Sequence, residues 1–314
     1  MKAIKRSILG ASALAVGTIL IMSTSSFAGL YRIATSAGWD TYQISSTNYT
    51  AVASDAVNNE KMIASRDGAV DVVYVNGGVW QTKTNAVVGK TYNALARSYS
   101  WGDYYYGSSA AGGIDTLAVA GDNSISASVI SGTESNIYKA VAVCGGNNQA
   151  MIAARDGALD MVYVDRGSWV VWSNITTGRT YTDLTRTATW GNFYFGVWSG
   201  GIDKIQFNGS SWVASTVAGT AGKNYTAIQS DSIWDQYMYA SQSNGAMDLV
   251  GGNSATPVAG ANMAFGSLTP TAAWHQYMYG TELVPVPEPG SLATLSLGCL
   301  SAIGMMLRRR VCSK

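Results

Sequence analysis

A chain of 314 residues with 20 Lys or Arg, 19 Asp or Glu and one His is formally close to neutral, yet its charges are unevenly placed. Between Gly29 and Val286, thirteen basic residues stand against eighteen acidic ones, a net of minus five that excludes the basic surface a nucleic-acid or anionic-membrane partner requires. All ten Trp lie in this segment, whose Gly, Ser, Thr and Tyr content reads as short strands joined by tight turns and not as helices.

Lys2, Lys5 and Arg6 precede an apolar run from Ile8 through Met22 and a small-residue segment from Ser23 to Ala28. That order is the pattern of a secretory signal peptide cut after Ser26-Phe27-Ala28, so residues 1–28 are expected to be removed and the mature chain to begin near Gly29. Cys144 is the one thiol of the mature segment, so no internal disulfide is expected and the domain must be held by its core.

An internal repeat organises residues 29–283. Asn58 through Val75, containing Arg66-Asp67-Gly68, recurs 89 positions later as Asn147 through Val164, containing Arg155-Asp156-Gly157. The segments Trp101 to Gly107 and Trp190 to Gly196 are separated by the same 89 and interleave with the first pair, which makes a double repeat of units about 44 residues long. Five whole units start near Tyr49, Tyr92, Tyr138, Tyr181 and Tyr225, each with an aliphatic residue three positions on. Each reads as four strands, the signature of a propeller blade. Phe265 to Gly280 supplies only the first two strands of a unit, and Leu30 to Trp39 only the last two. Complementary halves are what a ring needs in order to close, so the expected fold is an all-β propeller of six four-stranded blades, five whole and one split between the chain ends. An open β-solenoid also uses short strands in long repeats, but gains nothing from complementary ends.

Asp71, Asp115, Asp160, Asp203 and Asp248 recur near the start of the third strand in every whole unit, with Tyr31 at that place in the split one. Repetition in each blade points to a structural carboxylate that accepts backbone NH groups from a neighbouring turn, and a ring of sugar- or cation-binding acids is the functional alternative. Trp39, Trp80, Trp169 and Trp212 open fourth strands, while Trp101, Trp190, Trp234 and Trp274 sit between first and second strands; packing between blades accounts for them, as would stacking on sugar rings. Asp-Gly suits the tight turns at 67–68 and 156–157, whereas the turn does not need the preceding arginines. Arg66, Arg155 and, in the equivalent turn of another blade, Trp198 are therefore the candidates for ligand contact. His275 and Cys144 have no spacing that forms a metal site or a nucleophile and base pair, so no cofactor, metal or catalytic residue is assigned.

After Val284-Pro285 the chain reads Val286-Pro287-Glu288-Pro289-Gly290, an apolar segment from Ser291 to Leu307, and Arg308-Arg309-Arg310. Prolines that prevent helix, an apolar stretch long enough to enter a bilayer and a basic flank describe a membrane anchor with its charges in the cytoplasm. The tail 284–314 resembles the PEP-CTERM sorting domain, with Pro287, Glu288 and Pro289 at its Pro-Glu-Pro. The resemblance implies a processing enzyme of the exosortase type as partner, removal of the hydrophobic tail, and delivery to the cell surface or extracellular matrix. The physics of the helix alone fits a permanent single-span anchor equally well.

An exported, acidic, aromatic-rich ring loosely resembles the repeat propeller lectins, without a family motif. The expected function is a non-enzymatic binding propeller, with extracellular polysaccharide as the candidate ligand. A secreted polysaccharide hydrolase or lyase, or a purely structural matrix component, fits the same compartment.

Overall fold

The computed structural model describes residues 29–34, 39–55, 58, 60–98, 104–144, 149–186, 193–230, 237–251, 254–271 and 277–283. Residues 1–28, expected to be a secretion signal, residues 284–314, expected to be a sorting tail, His275 and the four Trp between first and second strands lie outside these residues. The chain divides by its internal contacts into two units, Met1–Leu283 and Val284–Lys314, and every described residue belongs to the first. Among the described residues no helix is long and apolar enough to cross a membrane.

The chain enters with β1 (Leu30–Ala34) and β2 (Asp40–Ser45). Blade one is β3 (Ala51–Ser54), β4 (Lys61–Arg66), β5 (Ala69–Asn76) and β6 (Val79–Val88). Blade two is β7 (Tyr92–Arg97), β8 (Tyr104–Ser109), β9 (Ile114–Val119) and β10 (Ile125–Val129). Blade three is β11 (Ala140–Val143), β12 (Ala150–Arg155), β13 (Ala158–Asp165) and β14 (Ser168–Thr177). Blade four is β15 (Asp183–Arg186), β16 (Phe193–Trp198), β17 (Gly201–Phe207) and β18 (Trp212–Thr216). Blade five is β19 (Tyr225–Ser230), β20 (Tyr237–Gln242), β21 (Met247–Gly251) and β22 (Ala255–Pro257). The chain ends its ring with β23 (Phe265–Pro270) and β24 (Tyr277–Glu282), which join the first two strands in the order β2-β1-β24-β23.

Each sheet is antiparallel and the whole is a six-bladed β-propeller with one split blade. Closure is made by β1 against β24, with Leu30 opposite Thr281, Arg32 opposite Tyr279 and Ala34 opposite Tyr277. Because β1 is hydrogen-bonded to β2 on its other side, the seam lies inside a sheet and leaves no exposed edge there.

Burial falls from the axis outward. The first strands Ala51–Ser54 and Ala140–Val143 are buried at every position, whereas the outer strand β6 is exposed or half-buried throughout. Small residues dominate the inner positions because six strands converge there. Six apolar clusters hold the ring, one at each junction between neighbouring blades, and Leu30 and Ile33 carry the split blade into two of them. Trp80 meets Tyr279 edge-on at 5.8 Å, and Trp169 meets Tyr106 at 6.2 Å, so these fourth-strand indoles pack against the preceding blade.

The double repeat has a packing cause. Directly across the first and second strands, Leu95, Leu184 and Leu268 face Gly107, Gly196 and Gly280 in blades two, four and six. In blades one, three and five the same pair is Val52 with Ala64, Val141 with Ala153 and Ile228 with Ala240. Glycine and alanine thus alternate blade by blade opposite the aliphatic residue, and at each glycine the ring that opens the unit, Tyr92, Tyr181 or Phe265, packs where a methyl group would stand. A methyl group on Gly107 would stand 2.5 Å from Tyr92 Cδ1 and 2.8 Å from Cε1. Gly107→Ala is therefore expected to lower stability by about 1–3 kcal/mol through overpacking, read from the midpoint of urea unfolding.

Candidate functional site: buried carboxylate clusters and the channel

On one face of the ring lie the turns between second and third strands and the connections that carry the chain to the next blade. Asp71, Asp115, Asp160, Asp203 and Asp248 stand just inside this face and are at most 2% exposed. Each accepts a hydrogen bond from the tyrosine that begins its unit: Tyr49 to Asp71 at 3.0 Å, Tyr92 to Asp115 at 2.6 Å, Tyr138 to Asp160 at 3.1 Å, Tyr181 to Asp203 at 2.8 Å, and Tyr225 to Asp248. Burial first, and the facing carboxylate with it, pushes all five phenols up, Tyr49 to about 12. The hydroxyls therefore stay protonated as donors across the physiological range.

A buried carboxylate also needs a counter-charge. In blades one and three it comes from the turn between second and third strands, as Arg66 Nε donates to Asp71 at 3.0 Å and Arg155 Nε to Asp160 at 2.9 Å. In blades two, four and five it comes instead from the connection entering the blade, two residues before the tyrosine. Lys90 reaches Asp115 at 2.5 Å, Lys223 reaches Asp248 at 2.7 Å, and Arg179 pairs with Asp203. Thr47 and Asn136 occupy that connecting position where the arginine of the turn is present. One cation per buried acid is the rule, and two positions of the chain can obey it.

The other side of each carboxylate shapes the outer strand. Asn85 N donates to Asp71 Oδ1 at 2.8 Å and Asn174 N to Asp160 Oδ1 at 2.9 Å, while their side-chain oxygens accept from Arg66 Nη2 at 2.5 Å and Arg155 Nη2 at 2.6 Å. Both asparagines hold positive φ, 58° and 60°, a conformation asparagine tolerates well, and both lie where the pairing of third and fourth strands shifts register. In blade four Trp198 Nε1 donates to Asp203 Oδ1 at 3.1 Å, and its ring lies 4.2 Å beneath the Arg179 guanidinium.

Arg66, Arg155 and Trp198 thus occupy one equivalent place in three different blades, and they do not converge. Each half-buried side chain is engaged by its own blade's acid, which is the physical requirement for the arginines that turn geometry did not supply. Lys90, Arg179 and Lys223 escaped the sequence reading because their partners lie 24 or 25 residues on. The recoverable signal was their shared spacing from Tyr92, Tyr181 and Tyr225. The split blade replaces both members of the pair: Phe265 takes the tyrosine's place and Tyr31 the aspartate's, with the rings edge-on at 6.4 Å and Tyr31 donating to Glu282 at 3.1 Å.

At the axis, the first strands enclose about 90 Å³, lined by residues that include Arg97, Leu184, Arg186, Gln229 and Thr269. That is below the roughly 300–1,000 Å³ of small-molecule pockets. Cys144 Sγ is in hydrogen-bond contact with Tyr194 beside this channel, and burial pushes the thiol up, away from the reactive thiolate. Among the described residues no three His, Cys, Asp or Glu stand together to hold a metal.

Asp183 joins two blades. Its Oδ2 accepts from Ile228 N at 2.8 Å and its Oδ1 from Leu184 N at 2.8 Å, and burial pushes its carboxyl up to about 7 against the pull of these two NH groups. A carboxyl raised on folding stabilises the fold fully below its unfolded value of ~4 and loses that contribution as pH rises through the folded value. Ser267 performs the same task at the seam, accepting from Val52 N at 3.2 Å. Asp183→Ser is expected to keep the junction and to remove the part of the melting-temperature fall between about pH 4 and pH 7 that this carboxyl contributes, about 2–4 °C per kcal/mol.

The fold defines the chain as a six-bladed β-propeller whose whole blades each bury one neutralised tyrosine–aspartate cluster. No family model matches the sequence, and no curated protein does. Among solved structures it is similar to the β-propeller domain of Cps50 (Swd1) from Myceliophteria thermophila, at 10% identity and TM-score 0.52, covering 79% of this chain and 86% of that one. It is likewise similar to a structural genomics protein of unknown function from Bacteroides thetaiotaomicron VPI-5482, at 12% identity and TM-score 0.55, covering 81% and 76%. Both likenesses are of fold.

Proposed function

We propose that this chain is an exported propeller, displayed at the cell surface or in the extracellular matrix, that binds carbohydrate without transforming it. The observation that carries the reading is the use made of the recurrent acids. Glycoside cleavage needs two carboxyl groups facing each other across roughly 5–9.5 Å of one cleft. Here the five recurrent carboxylates are shared out one per blade, each bonded within its own blade to a phenol and a cation. Exposed aromatic rings remain on the described surface, among them Tyr42, Trp172, Phe193 and Phe207, and such rings are suited to stacking on sugars.

Export rests on the terminal segments, read as a cleavable secretion signal and as a sorting tail for an exosortase-type enzyme. Intact-mass measurement of the surface-extracted chain is expected to show both ends removed; a chain retaining residues 284–314 would mean a permanent anchor. A glycan array probed with the full-length chain is expected to show selective binding. Signals no higher than background would overturn the carbohydrate reading.

A further inference from the structure

Five blades bury the acid, and blade two departs from the plan of the other four. At the place of Arg66, Arg155 and Trp198 it carries Ala110, within Ala110-Ala111-Gly112-Gly113-Ile114-Asp115. Blade four has the matching run Trp198-Ser199-Gly200-Gly201-Ile202-Asp203. There the Trp198 indole lies across Gly200, donates to Asp203 Oδ1 at 3.1 Å and stacks on Arg179. In blade five, Gln242 Nε2 donates to Asp248 at 3.1 Å from nearly the same position. Blade two supplies no such side chain.

The result is a cleft of about 380 Å³ beside the acid, lined by Lys90, Ala110, Ala111, Gly112, Asp115 and Val129 among others. This volume falls within the roughly 300–1,000 Å³ of small-molecule sites. Asp115 Oδ2 is taken by Lys90 and Tyr92, whereas its Oδ1 accepts no hydrogen bond among the described residues. The corresponding Oδ1 in blades one, three and four accepts one or more. Lys90 spends one N–H on Asp115 and its side chain is 38% exposed, so its other donors face outward. Val129, 49% exposed, offers an apolar patch at the rim.

We propose that this cleft is a binding site for a single sugar ring, held in the place that the Trp198 indole fills in blade four. A pyranose hydroxyl donates to Asp115 Oδ1, a second oxygen accepts from Lys90 Nζ, and the ring's C–H face lies on Val129. The proposal rests on the carbohydrate reading above and names its site.

Saturation-transfer NMR tests it, with the full-length chain and the methyl glycosides of glucose, galactose, mannose and N-acetylglucosamine as probes. At least one probe is expected to bind the native chain. Ala110→Trp should rebuild the blade-four arrangement, melt no lower than the native chain, and weaken that probe by at least about tenfold, a loss readily resolved in affinity. Val129→Thr, which places at this half-exposed rim the residue that blade four carries as Thr216 opposite Asp203, should weaken it comparably with little burden on folding. Equal binding by the native chain and both variants would overturn the cleft and leave the carbohydrate reading standing. Failure of every glycoside to bind the native chain would overturn the site, and with a blank glycan array the reading as well.

Discussion

Asp160→Leu is expected to lower the unfolding free energy by about 3–5 kcal/mol, because it breaks a buried pair by removing one partner. Asp160 has no exposed surface, and its oxygens accept from Tyr138 at 3.1 Å, Arg155 at 2.9 Å and Asn174 N at 2.9 Å. Leucine fills the space but leaves a buried phenol and a backbone NH without their acceptor, and each such loss costs about 1–3 kcal/mol. The split blade shows how the same place is occupied without an acid: both members change together, to Phe265 and Tyr31. Tyr138→Phe combined with Asp160→Leu is accordingly expected to cost less than the two single changes added, by about 1 kcal/mol or more in a double-mutant cycle under urea. Additive costs, or a single-variant loss below about 1 kcal/mol, would mean that the cluster does not hold the blade.

Ile33→Pro is expected to be the most damaging single change in the chain. Ile33 has no exposed surface, sits in the middle of β1, and is flanked by Thr41 on one side and Met278 on the other. Proline removes a ladder donor from a strand that has neighbours on both sides, and strands in that position do not accommodate it. It also removes the side chain that packs with Phe265 and Leu268 of the split blade's own β23 and ties that blade to Ala227 and Met247 of blade five. Losing a buried isoleucine costs about 2–5 kcal/mol before any backbone effect, or about 2–4 °C of melting temperature per kcal/mol at this size. With the seam open, β24 presents an edge to other chains, so light scattering should detect association well below the native melting temperature. A variant that melts cooperatively within a few degrees of the native chain would show that the other five junctions suffice.

Six blades accommodate a two-blade repeat because six is even. Leucine with glycine in blades two, four and six, and a β-branched residue with alanine in blades one, three and five, alternate around the ring without a mismatch at the seam. The 89-residue period was legible from Arg66-Asp67-Gly68 and its copy at 155–157 alone. Its cause was not, since Leu95 and Gly107 are related only by the antiparallel pairing that brings positions twelve apart face to face.

The recurrence of Asp71, Asp115, Asp160, Asp203 and Asp248 was equally plain as a pattern, and so was the complementarity of the split ends. Both are properties of one dimension: period, order and content survive in a linear string because every blade repeats the same local chemistry. The amino-acid sequence by itself therefore determined the class of fold, the number of blades and the position of the seam. What only the tertiary structure decided is which charge answers which acid. Arg66 stands five residues before Asp71, but Lys90 stands twenty-five before Asp115. The two solutions become equivalent only when the chain entering a blade is folded alongside that blade's own turn. The cleft of blade two has the same origin, for Ala110 is unremarkable in a turn until three-dimensional superposition on Trp198 shows what its small side chain leaves open beside a buried carboxylate.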